Sequence, residues 1–79
     1  MKVDKVVEYF KIYGSSPYQM PVEVAVEKRN GFISGAVIIS PEGRKVSLDL
    51  QQLLNLKQLL DELGGELEDA EKYFYGGGK

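Results

Sequence analysis

Two hydrophobic periods divide the chain. Up to Leu48 apolar side chains tend to recur at every second position, and from Leu50 onwards at every third or fourth. The clearest alternation is Val22 to Arg29, where Val22, Val24 and Val26 interleave with Glu23, Ala25 and Glu27, giving a strand with one apolar and one wet face. Asn30-Gly31 follows, a pair suited to a type I′ hairpin because both central residues need positive φ. Phe32 to Ser40 reads as the return strand and is apolar on both sides, with Ile33, Val37 and Ile39 on one and Phe32, Ala36 and Ile38 on the other. Gly35 in its middle marks a bulge or a close backbone approach. After the tight turn Pro41-Glu42-Gly43, Arg44 to Leu48 forms a short strand with Val46 and Leu48 inward and Lys45 and Ser47 outward.

Val3 to Tyr13 fits two patterns. A helix gathers Val3, Val6, Val7 and Phe10 on one side; a strand sets Val7, Tyr9, Lys11 and Tyr13 against Val6, Glu8, Phe10 and Ile12. The density of β-branched and aromatic residues favours the strand. Gly14-Ser15-Ser16-Pro17 breaks it, and Tyr18 to Pro21 reads as loop, since its prolines cannot donate to a ladder.

Asp49 is placed to cap a helix, with Gln52 three residues on to complete a capping box. Beyond it Leu53, Leu56, Leu60, Leu63, Leu67, Ala70 and Phe74 follow at alternating spacings of three and four, a seven-residue repeat. Leu50 and Leu54 widen the apolar arc at the opening turns. The wide opening is expected to cover the sheet, and the narrower seam of Leu56, Leu60, Leu63, Leu67 and Phe74 to form a dimer interface. Gly64-Gly65 interrupts the pattern at about 1 kcal/mol per glycine, so a kink or an end is expected there. Tyr73-Phe74-Tyr75 reads as the last helical turn, closing a single domain over residues 1–75, with residues 76–79 as a flexible Gly-rich tail.

At 79 residues the domain is small enough for its own core to be marginal. With no Cys and no His there is neither a disulfide nor a zinc site to reinforce it, so oligomerisation is the expected remedy. No apolar signal region opens the sequence and no apolar run approaches a membrane span, so a cytoplasmic location is expected. The net charge of −2 is unevenly spread. Residues 1–45 carry seven basic groups against five acids, whereas residues 46–79 carry three against seven.

Catalysis is poorly supplied. The missing His and Cys remove the commonest general base, the commonest soft nucleophile and most transition-metal ligands. Asp61, Glu62, Glu66, Glu68, Asp69 and Glu71 read as a solvated helix face, and the scattered glycines form no phosphate-cradling motif. A non-enzymatic protein without cofactor or metal is expected. Binding is better supplied. Tyr9, Lys11 and Tyr13 share one side of the first strand, Lys28 and Arg29 lie beside Phe32 at the first hairpin, and Arg44 and Lys45 follow the second turn. Cations interleaved with rings on a sheet suit single-stranded nucleic acid, because cations neutralise phosphates while rings stack on unpaired bases. Turn lysines that serve only solubility, and tyrosines that serve only a core, give the same pattern.

Residues 43–57, Gly-Arg-Lys-Val-Ser-Leu-Asp-Leu-Gln-Gln-Leu-Leu-Asn-Leu-Lys, resemble the strand-to-helix junction of the single-stranded-DNA-binding transcriptional coactivators, the positive-cofactor-four-like family. In that family a Gly-Arg-Lys precedes the last strand, a Ser-Leu-Asn enters the helix, and a Gln-Trp and a Leu-Lys follow. Here Asp49 stands for the Asn, Leu53 for the Trp, and the strand is one residue shorter. The resemblance implies four antiparallel strands and then a helix, a dimer, and single-stranded DNA on a curved sheet, with Arg44 and Lys45 matching the basic lead into the last strand. The Leu53–Leu67 stripe is also similar to the leucine-rich dimerisation helix of thermophilic archaeal single-stranded-DNA-binding proteins, which implies the same ligand.

The expectation is therefore an α+β domain: a four-stranded antiparallel meander, one long C-terminal helix across a face, and a homodimer. Its expected role is sequence-tolerant binding of single-stranded DNA or RNA through Tyr9, Lys11, Tyr13, Lys28, Arg29, Phe32, Arg44 and Lys45. The alternative is a protein-interaction or dimeric adaptor module that uses the apolar strand 32–39 and the leucine-rich helix.

Overall fold

The computed structural model describes residues 5–76. Four strands, β1 (Lys5–Ile12), β2 (Val22–Arg29), β3 (Phe32–Ile39) and β4 (Lys45–Asp49), form one antiparallel sheet in the order β1-β2-β3-β4. A helix, α1 (Leu50–Glu71), follows without a loop and ends in a π-helical turn over Lys72–Gly76. This is the α+β meander and C-terminal helix that the two periods predict. Between residues 5 and 12 the strand pattern prevails over the helical one, because β1 pairs with β2 along its whole length, from Lys5 opposite Arg29 to Ile12 opposite Val22. Val3, and the tail beyond Gly76, lie outside the described residues.

The turns follow from local chemistry. Asn30 and Gly31 both take positive φ, 54° and 85°, as a type I′ turn requires. Gly43, at φ 91°, closes the β3–β4 turn, where its N–H donates to the Ser40 carbonyl at 2.9 Å. β4 begins at Lys45, one residue later than the alternation predicts, and runs on to Asp49, which pairs with Gly35. Asp49 then caps α1: its Oδ1 accepts from the Gln52 N–H at 2.8 Å, and its own N–H donates to Gln52 Oε1 at 2.9 Å.

Gly35 serves both of its expected purposes. Glu27 pairs with Gly35 but Lys28 pairs with Ile33, so Ser34 bulges out of the ladder and its hydroxyl donates to the Glu27 carbonyl at 3.3 Å. A Cβ on Gly35 would lie 3.0 Å from the Leu48 carbonyl oxygen, so the β4 backbone sets the small residue there. The bulge corrects the strict alternation read for this strand. It brings Phe32 opposite Arg29 and Ile33 opposite Lys28, which swaps the sides of Phe32 and Ile33 relative to Val37 and Ala36.

Two further expectations are corrected. Gly64-Gly65 does not end the helix; α1 runs on through both, where an added Cβ would meet nothing within 4 Å. Nor does the opening of α1 form a lid. The helix approaches only β3 and β4 and not β1 or β2. The molecule is accordingly long, 60 × 30 × 18 Å, with a radius of gyration of 16.0 Å, where a compact chain of this length has about 12 Å. Only Ala25 and Ala36 are buried among the apolar residues described. The sheet is a single layer, and the helix is an arm beside it.

Two substitutions probe the arm. Asp49→Ala removes the cap and should lower stability by about 1 kcal/mol in chemical denaturation. Gly65→Ala, on the side of α1 away from the leucine stripe, should raise the melting temperature by about 4–8 °C, the equivalent of about 1 kcal/mol.

Candidate nucleic-acid interface

The register divides the sheet into two unlike faces. Side chains on one face follow the rows Tyr9–Ala25–Val37–Ser47 and Lys11–Glu23–Ile39–Lys45, with Val7, Glu27, Gly35 and Asp49 in the next row and Lys5, Arg29 and Phe32 beyond it. We term this the mixed face. The other carries Val6, Phe10, Ile12, Val22, Val24, Val26, Ile33, Ala36, Ile38, Val46 and Leu48, and its charges are Glu8 and Lys28. We term this the apolar face.

Of the sequence-predicted binding residues, Tyr9, Lys11, Arg29, Phe32 and Lys45 share the mixed face. Lys11 and Lys45 lie at opposite ends of one row, three strand spacings apart, or about 14 Å. Arg29 and Phe32 lie at the far end of the face, about 20 Å along the strands. The rings stand clear of the sheet, Tyr9 being 69% and Phe32 77% exposed. None of these three cations forms an ion pair among the described residues. The face is not uniformly basic, since Glu23, Glu27 and Asp49 lie among Lys5, Lys11, Arg29 and Lys45. Asp49 is engaged in capping α1.

A shallow hollow of about 270 Å³ opens between the rows, with Ala25, Val37 and Ser47 in it and Tyr9 and Lys45 on its border. Small side chains at the middle of the face and long ones at its rim make the concavity. Its position was not readable from composition, because it needs Ala25, Val37 and Ser47 brought side by side from three strands. The signal that could have found it is the small-residue row that a correct register produces.

Three predicted residues stand apart. Lys28 is on the apolar face, where its Nζ lies 3.2 Å from both carboxylate oxygens of Glu8. It is engaged across β1 and β2, and alternation along β2 puts it on the opposite face from Arg29. Tyr13 follows the end of β1 and lies in the exposed loop 13–21, and Arg44 sits in the turn before β4, where its N–H donates to Ser40 Oγ at 3.1 Å. On the arm, Leu56, Leu60, Leu67 and Phe74 are exposed and Leu63 is half-buried. Phe74 falls in the π-helical turn, edge-on to Tyr73 with ring centroids 4.8 Å apart.

No cluster of three or more potential metal ligands occurs among the described residues, and no helix there is long and apolar enough to cross a membrane. Comparison with family models, with curated proteins and with solved structures yields no match. The geometry alone therefore carries the functional reading.

Proposed function

We propose that this chain is a non-enzymatic, homodimeric domain that binds single-stranded nucleic acid, DNA or RNA, on its mixed face with little sequence preference. The observation that supports the reading is the collection of Tyr9, Lys11, Arg29, Phe32 and Lys45 on one side of the sheet, rings exposed and cations unpaired. Phosphates run past Lys11 and Lys45 at one end and Arg29 at the other. Bases stack on Tyr9, beside the hollow over Ala25, and on Phe32. Lys28 takes no part, because Glu8 already neutralises it. Glu23 and Glu27 oppose polyanion binding and keep the affinity modest and strongly dependent on salt.

A second reading, an adaptor that docks a different protein, draws on the exposure of the apolar face and of the leucines on α1. It leaves the unpaired cations and exposed rings of the mixed face without a purpose.

Fluorescence polarisation of a labelled oligothymidine separates the two. Nucleic-acid binding predicts saturable binding at low salt, with log K falling against log salt at a slope of roughly −2 to −3 per chain, for three or four phosphate contacts at about 0.7 each. No binding at tens of micromolar protein in low salt would falsify the proposal. Tyr9→Ala should weaken binding by about 1–3 kcal/mol. Lys11→Ala and Lys45→Ala should each reduce the salt slope by roughly 0.7, whereas Lys28→Ala should leave the slope unchanged.

A further inference from the structure

The chain exposes far more surface than a folded protein of its size. Its accessible area is 6860 Å², whereas a compact monomer of 8.8 kDa exposes about 4,800 Å². It covers only about 46% of what its unfolded chain exposes, against about 60% for even a smaller independent domain. The excess, about 2,000 Å² per chain, is what each half of an obligate homodimer buries, since such interfaces total about 2,000–5,000 Å².

Two bare surfaces contribute to the excess. One is the apolar face, where Val6, Phe10, Ile12 and Val46 are each about half exposed and the only charges, Glu8 and Lys28, neutralise one another. The other is the arm, with Leu56, Leu59, Leu60 and Leu67 exposed along one side and the Lys57–Asp61 pair beside them. Neither surface covers the other within one chain, because α1 starts at the end of β4 and approaches only β3 and β4. The 22 residues of α1 extend about 33 Å, enough to span a four-stranded sheet about 14 Å across together with its twist.

We infer that the arm of each copy lies on the apolar face of the other, so that two chains exchange their helices about a two-fold axis. A single contact, repeated by symmetry, then covers both surfaces of both chains. A helix-to-helix seam, by contrast, covers the leucines and leaves Val6, Phe10, Ile12 and Val46 in water. The exchange also leaves the mixed face outward on each copy. It depends on no nucleic-acid contact, so its success or failure is independent of the polarisation titration.

The wild-type protein allows a direct test, because α1 contains no valine and every leucine but Leu48 belongs to α1. Chains with ¹³C-labelled leucine methyls are unfolded and refolded with deuterated chains in which only valine methyls are protonated. Isotope-filtered NOE spectra then report leucine–valine contacts between copies. Contacts from helical leucines to Val6, Val24, Val26 or Val46 are expected. Three results overturn the inference: no leucine–valine contact between copies, contacts confined to Val7 and Val37 of the mixed face, or sedimentation as a folded 8.8 kDa species.

Discussion

The structure is governed by apolar area that the chain leaves uncovered. A single antiparallel layer has two faces, and a stable domain sets a second layer against at least one of them. Here the second layer is absent from the chain's own fold: the helix leaves β4 and runs out as an arm, and among the described apolar residues only Ala25 and Ala36 are buried. Hydrophobic burial is the main term opposing the conformational entropy of an ordered chain, and here it comes from half-buried residues such as Val24, Val26 and Ile38 rather than from a closed core. The leucine stripe and the apolar face of the sheet are the two surfaces that the proposed assembly would cover.

That constraint sorts the residues by role. The apolar face and the leucine stripe share a character, and the two charges of the apolar face, Glu8 and Lys28, are paired with one another. The mixed face combines exposed rings, unpaired cations and carboxylates, a composition that water tolerates and that a wet, salt-sensitive ligand can use. Lys28 illustrates the division. Among apolar neighbours a lone ammonium is costly, and the Glu8 carboxylate at 3.2 Å offsets part of that cost.

Much of the fold was legible in the sequence because its signals are local. The Asn30-Gly31 turn, the Asp49–Gln52 capping box, the alternation of Val22, Val24 and Val26 and the special place of Gly35 each depend on neighbours a few residues away, and each appears as read. What was not legible depends on pairing between strands. The Ser34 bulge changes the side of Phe32, and the hollow needs Ala25, Val37 and Ser47 from three strands. The helix opening was misread for a different reason. A leucine-rich arc marks an apolar side of the helix, but not what lies against it.

Sedimentation equilibrium combined with thermal melting over a range of protein concentrations tests the central claim most directly. Two chains that complete one another's core must sediment at twice the 8.8 kDa chain mass, and their melting temperature must rise with concentration because dissociation and unfolding are one event. A species of 8.8 kDa that melts cooperatively at a temperature independent of concentration contradicts the account, because it shows that one chain can cover its own apolar surface.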